Sequence, residues 1–275
     1  MHAPKQQSSF NNTKSARNNA CHKGGRIPAS IDTFISMLSS LSSFLTIATI
    51  SLASTTVVAN PCVILLHGLA RTSASMNKLE NVLEINGYFV ANIDYQSRKQ
   101  PIEILAKQTI TEGVRLCQNN KSSPINVVTH SLGGILVRHY LIINKIPKLN
   151  HVVMLGPPNQ GSEVVDQLRN IPGYKQIIGP AGMQLGTSKL DLPRKLGSVD
   201  FKLGIIAGTT SISPILSLML PNPDDGKVSV ASTRVNGMAD FIMLPVNHTF
   251  MMNNANVIKQ VMAFLSGGAF KHSGC

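Results

Sequence analysis

From Pro61 onward, short apolar runs alternate with segments whose apolar residues recur at helical spacing. Cys62-Val63-Ile64-Leu65-Leu66 is an unbroken apolar run ending in His67-Gly68. Runs this short predict strands covered on both faces. Residues 88–93, 125–128, 151–155 and 203–207 repeat the pattern. Helices are predicted over 77–83, closed near Asn86-Gly87, and over 102–116, 135–143 and 256–264. Such alternation predicts a single α/β domain, a mostly parallel sheet with helices on both faces. Ligands in such sheets sit beyond the carboxyl ends of the strands, so the chemistry is expected just after them.

The first sixty residues have another texture. Residues 1–32 form a polar, basic leader with Lys5, Lys14, Arg17, Lys23 and Arg26, expected to be disordered. Residues 33–59 carry no charge and have an apolar centre at 44–53. A basic stretch, an apolar stretch and then small residues predict a signal peptide, with cleavage near Ala53 or Ala59, or a membrane anchor. The protein is therefore expected to be exported or membrane-associated: periplasmic, secreted or anchored. It would be cytoplasmic if this stretch is not a signal. The folded domain is expected over 60–267, followed by a flexible tail at 268–275.

Lys and Arg total 25 against 13 Asp and Glu, a formal charge of +12 that raises nucleic acid or an anionic membrane as partners. An arginine-rich helix and zinc-finger spacing are both missing, Trp is absent and aromatics are 5%, so no nucleic-acid partner is expected. The four cysteines include no C-x-x-C pair, which argues against structural zinc. Export would permit Cys62 and Cys117 to oxidise together; the sequence leaves their pairing open, as it does the oligomeric state.

The sharpest motif is Thr129-His130-Ser131-Leu132-Gly133-Gly134, between a predicted strand and a predicted helix. A serine on a tight strand-to-helix turn projects its hydroxyl above the sheet, and the helix N-terminus supplies partial positive charge where an oxyanion would form. The signature is G-x-S-x-G, with Thr129 in place of the first glycine.

With that motif, four further stretches resemble the α/β-hydrolase superfamily, and within it the bacterial triacylglycerol lipases and esterases. They are Leu65-Leu66-His67-Gly68-Leu69, Leu155-Gly156-Pro157-Pro158-Asn159-Gln160-Gly161-Ser162, Asp225-Gly226-Lys227-Val228-Ser229-Val230-Ala231-Ser232 and Val246-Asn247-His248. The resemblance covers 61 to about 267. It implies an α/β-hydrolase fold and a serine hydrolase cleaving carboxylic esters through an acyl-enzyme.

A serine hydroxyl needs a base, and in this fold the acid and then the histidine follow the nucleophile. His139 falls within a predicted helix, His151 begins a strand and His272 lies beyond the last helix. His248 sits in a loop before that helix and is the expected base. Asp225 matches the family's D-G-x-V segment and is the expected acid; Asp224 is its rival, with Asp191, Asp200 and Asp240 weaker. The oxyanion donors are the N–H of Leu132, after the nucleophile, and by resemblance that of Leu69. His67, Gly68, His130 and Gly133 are expected to support them. The triad needs no cofactor. The acid that binds calcium just past the histidine in larger lipases of the group is replaced here by Thr249-Phe250, so no metal is expected. Inserts at 156–202 and 210–222 are expected to shape the pocket, the second an ordinary covering helix or an acyl-pocket lid. An ester or lipid substrate and possible membrane association follow as partners. An amidase, peptidase or acyltransferase would use the same triad, and a non-catalytic binding protein would keep only the fold.

Overall fold

The computed structural model describes residues 59–272. The leader and nearly all of the uncharged stretch expected to be a signal or anchor lie outside them. Among the described residues no helix is long and apolar enough to cross a membrane.

The chain runs β1 (Cys62–Leu66), α1 (Asn77–Ile85), β2 (Phe89–Ile93), α2 (Ile102–Asn119), β3 (Ile125–His130), α3 (Leu132–Ile143) and β4 (Leu149–Leu155). Three short helices follow, α4 (Glu163–Leu168), α5 (Tyr174–Met183) and α6 (Leu192–Lys195). Then come β5 (Leu203–Gly208), α7 (Pro214–Ser217), α8 (Val230–Thr233), β6 (Asp240–Leu244) and α9 (Ala255–Gly267). The strands lie in the order β2-β1-β3-β4-β5-β6, and every pairing is parallel. The chain leaves β1 toward β2 on one side and returns to β3 on the other. The crevice between the ends of β1 and β3 is thus the topological switch point, where open α/β sheets hold ligands.

Alternation along β1 explains why its five residues are all apolar. Cys62, Ile64 and Leu66 pack with α2 and α3 on one face, while Val63 and Leu65 pack with α1 and α9 on the other. β3 repeats this with Val127 on the first face and Val128 on the second. β6 is an edge strand with only partly buried residues, so its sequence lacks the fully apolar signature of the central strands.

Two features differ from expectation. α3 begins at Leu132, directly after Ser131, three residues before the apolar periodicity becomes visible. The chain past α9 stays packed through His272 instead of trailing away: Phe270 is buried, its N–H donates to Asp240 Oδ2 at 2.7 Å, and His272 Nε2 lies 2.9 Å from Asp240 Oδ1. An edge-strand carboxylate therefore pins most of the expected tail.

Cys62 and Cys117 form a disulfide, 55 residues apart in sequence, joining β1 to α2. Closing a loop of that length in the unfolded chain stabilises the fold by about 4 kcal/mol in the chain-entropy account. Reduction is expected to lower Tm by roughly 10 °C for a domain of this size. Calorimetry with and without reductant checks this, and an unchanged Tm would contradict it.

Candidate active site

All the elements of the site hang from carboxyl ends of strands. Ser131 occupies the one-residue turn between β3 and α3 at φ 53° and ψ −118°. A non-glycine residue in that region stores backbone strain. The turn is held by the Ser131 N–H, which donates to Leu155 O at 2.9 Å, and by Gly134 N–H donating to Ser131 O at 3.0 Å. Gly133 lies at the foot of α3 against Leu66. Thr129, where the motif has glycine, is fully buried, and its hydroxyl has no partner among the described residues.

The loop after β1 passes directly over this turn. A Cβ on Gly68 would lie 2.6 Å from His130 Nδ1 and 3.1 Å from Ser131 Cβ, so only glycine allows the approach. His67 fixes the loop from behind. Its Nδ1–H donates to Gly68 O at 2.9 Å, its Nε2 accepts from Tyr95 N–H at 3.3 Å, and its ring stacks on Tyr95 with centroids 4.0 Å apart. Because the Gly68 carbonyl is turned back to His67, the trans peptide directs the Leu69 N–H the opposite way. Among the described residues the Leu69 N–H has no acceptor. The Leu132 N–H is the first of α3 and has no intrahelical partner.

Asp225 follows β5 and His248 follows β6. Asp225 Oδ2 accepts from His248 Nδ1–H at 2.7 Å, both side chains being almost wholly buried. Asp225 Oδ1 accepts from the N–H groups of Lys227 and Val228 at 3.0 and 2.8 Å, which aims the carboxylate. The backbones are tied as well, His248 N–H donating to Asp225 O at 2.9 Å. With Nδ1–H given to Asp225, the neutral imidazole carries its lone pair on Nε2.

His130 reaches across from β3. Its Nε2–H donates to His248 O at 3.0 Å, and the two rings lie 4.7 Å apart. Burial first, and then the charge of His248, hold His130 well below the usual histidine range. It is therefore a neutral donor. Burial also lowers His67 and His151. Each of these groups resists protonation in the fold, whereas the unfolded chain takes up a proton as pH falls through about 6.5. Their contribution is complete above that pH and is lost below it. Urea midpoints are expected to fall between pH 8 and pH 5.5, and equal midpoints would contradict this.

Asp224 is also buried, not the solvated loop acid its position beside a D-G turn suggests. Its Oδ1 accepts from Ser217 Oγ at 2.8 Å and Gly226 N–H at 2.7 Å, so it closes the turn that presents Asp225. Among the described residues Ser217 has this acid but no histidine partner, hence no base. Asp191 pairs with Arg169 and Asp240 with the C-terminal segment, both away from His248.

Ser131, His130 and His248 open on a cavity of about 360 Å³. Its apolar walls include Val164, Leu168, Ile177 and Ile178 from the 156–202 insert and Leu216 from the 210–222 insert. Ile212, Ile215 and Leu218 of the second insert are exposed, and the covering helix there is only the four residues of α7. Arg71 and Lys227 also line the cavity. Among the described residues, no group of three or more His, Cys, Asp or Glu is arranged to hold a metal ion.

Gly156 and Arg71 also shape the site and were not among the residues the sequence singled out. Gly156, at φ 54°, ends β4 under the acid–base pair. A Cβ there would lie 2.9 Å from Asp225 Oδ2 and 3.1 Å from His248 Nδ1. Its place in the family-like Leu155-Gly156-Pro157 stretch was the available signal. Arg71 Nη2 donates to Thr249 O at 2.9 Å, tying the β1 loop to the histidine loop.

The architecture and the turn after β3 together define the α/β-hydrolase fold. Solved structures share it. Over 76% of this chain and 91% of the other, the mature form of Bacillus licheniformis lipase BlEst2 is 18% identical with a TM-score of 0.58. The Pyrococcus furiosus esterase PF2001 is 16% identical over 76% and 82% of the two chains, TM-score 0.55. Phospholipase PlaB from Legionella pneumophila is 18% identical over 63% of this chain and 45% of its own, TM-score 0.53. No protein-family model and no curated protein matches the chain.

Proposed function

We propose that the protein is a serine hydrolase that cleaves carboxylic esters, with Ser131 as nucleophile, His248 as base, Asp225 as its orienting acid and the N–H groups of Leu69 and Leu132 as oxyanion donors. The observation that carries this is the 2.7 Å Asp225–His248 bond, with His248 lining the same cavity as a serine held at positive φ. Ser131 Oγ adds to the ester carbonyl as His248 Nε2 takes its proton. The carbonyl oxygen becomes an oxyanion facing the two N–H groups. His248 then protonates the departing alkoxide, leaving an acyl group on Ser131. Water attacks that acyl group, giving its proton to His248, and the collapse returns the serine hydroxyl and releases the acid. Asp225 fixes the tautomer and stabilises the imidazolium. His130, neutral, holds the His248 backbone without adding a competing charge.

The apolar walls suit an acyl chain and support an ester or lipid substrate. Export of the protein is part of the same proposal. The basic and then uncharged order of the first sixty residues motivates it, and the Cys62–Cys117 disulfide supports it, since such bonds persist in oxidising compartments. Fractionation with N-terminal sequencing tests it; a cytosolic product retaining Met1 would reject it.

A fluorophosphonate probe should modify the wild-type protein once, on Ser131, with loss of p-nitrophenyl butyrate hydrolysis. Absence of labelling, or labelling elsewhere, would reject the reading. Cleavage of amides in preference to esters, or product formed only with an added acceptor alcohol, would move it to an amidase or an acyltransferase.

A further inference from the structure

Two cations of the cavity, Arg71 and Lys227, have no part in the ester chemistry. They line the cavity together with Ser131 and His248, one after the oxyanion loop and the other two residues past Asp225. Among the described residues neither forms an ion pair. Asp225, whose charge reaches Lys227, has Oδ2 on His248 and Oδ1 on two backbone N–H groups. Among the described residues the Arg71 side chain keeps only the bond of Nη2 to Thr249 O. Both side chains line the same cavity, where enclosure and then the charge of Arg71 depress the Lys227 ammonium, against the pull of Asp225. Like charges held together without a counter-charge disfavour one another, and an anion between them removes that cost. The same cavity has an aliphatic lining that includes Val164, Leu168, Ile178 and Leu216.

Resting on the ester-hydrolase reading, we infer that the preferred substrate is an acyl ester that also carries a phosphate, its chain on the aliphatic wall and its phosphate between Arg71 and Lys227. A phosphate monoester carries a charge of about −1.5 to −2 near neutral pH, which matches two cations better than a single carboxylate does. Arginine and lysine are also the residues that bind phosphate, the first by paired N–H donors and the second as a point charge. The reaction adds water across the acyl ester, releasing a carboxylic acid and an alcohol that keeps its phosphate.

The test compares 1-acylglycerol 3-phosphate with 1-acylglycerol of the same chain, both below their critical micelle concentrations. Wild-type kcat/KM is expected to favour the phosphate-bearing ester at least tenfold, and 0.5 M salt to shrink that preference. Arg71→Gln and Lys227→Gln should each lower the ratio at least threefold, and the double variant should bring it near one. Arg71→Lys, which keeps the charge, should retain most of it; thermal melts identify any variant that fails to fold. The ratio is the readout because a general effect on the triad would scale both rates alike. A wild-type ratio at or below one overturns the inference while leaving the hydrolase reading standing, as does an unchanged ratio in the folded double variant. Cleavage of neither ester, with no fluorophosphonate labelling, overturns both. Running the pair as butyryl esters separates the sources of the phosphate. A preference kept with the short chain supports a soluble phosphate ester, and one confined to long chains supports a lipid headgroup.

Discussion

Ser131→Ala is expected to lower kcat/KM on a short-chain p-nitrophenyl ester by at least roughly 10³-fold, because the acyl-enzyme can no longer form. What survives would come from the oxyanion donors acting on water directly. Circular dichroism should be unchanged, since alanine removes one oxygen from the edge of a cavity. More than a tenth of wild-type activity would reject Ser131 as nucleophile. Ser131→Gly sharpens the test. It should be equally inactive yet more stable than Ser131→Ala, by about 1 kcal/mol, because glycine reaches φ 53° without strain. An inactive but more stable protein is the expected result where backbone strain serves chemistry.

The second large effect is expected at the acid. Asp225→Asn should lower kcat/KM by roughly 10²–10⁴. An amide in that place offers N–H to Nδ1 and favours the tautomer that puts the proton on Nε2, where the lone pair is needed. It also removes the charge that balances the imidazolium. Asp224→Asn should stay within about tenfold, a change below about 1.4 kcal/mol, because an amide oxygen can still accept from Ser217 Oγ and Gly226 N–H. Asp224→Ala leaves those buried donors unpaired and should cost stability, about 2 kcal/mol by urea titration, with a smaller loss of rate. The reverse order of the two Asn variants would move the acid to Asp224.

What the sequence displayed and what it hid follow from the range of the forces involved. The central strands were legible because both their faces are covered, which forces runs such as Cys62–Leu66 to be apolar throughout. The turn at Ser131 was legible because strand, serine, small residues and helix are contiguous. β6 was not among the predicted strands, since an edge strand with partly exposed residues makes weaker demands on its sequence. Gly156 was invisible as a requirement because the atoms that exclude a Cβ there belong to Asp225 and His248, far along the chain. The cysteine pairing and the burial of Asp224 have the same character. Each is set by which loops the sheet order brings together, and no local pattern records that.

The division of labour within the cavity bears on how this fold can change. Serine, acid, histidine and both candidate oxyanion donors are held by strand ends and by cross-loop bonds: His130 to His248 O, His248 N–H to Asp225 O, Arg71 to Thr249 O. The aliphatic walls come from two inserts that make none of those bonds. Hydrogen exchange should accordingly be slow at the His248 amide and fast along 212–218, where Ile212, Ile215 and Leu218 face solvent. A lineage, or a library, that rewrites the inserts can thus resample substrates while the reaction is inherited intact. Drift in Gly68, in His130 or in Gly156 at the root of the first insert has no such freedom, because each is wedged against a reacting group.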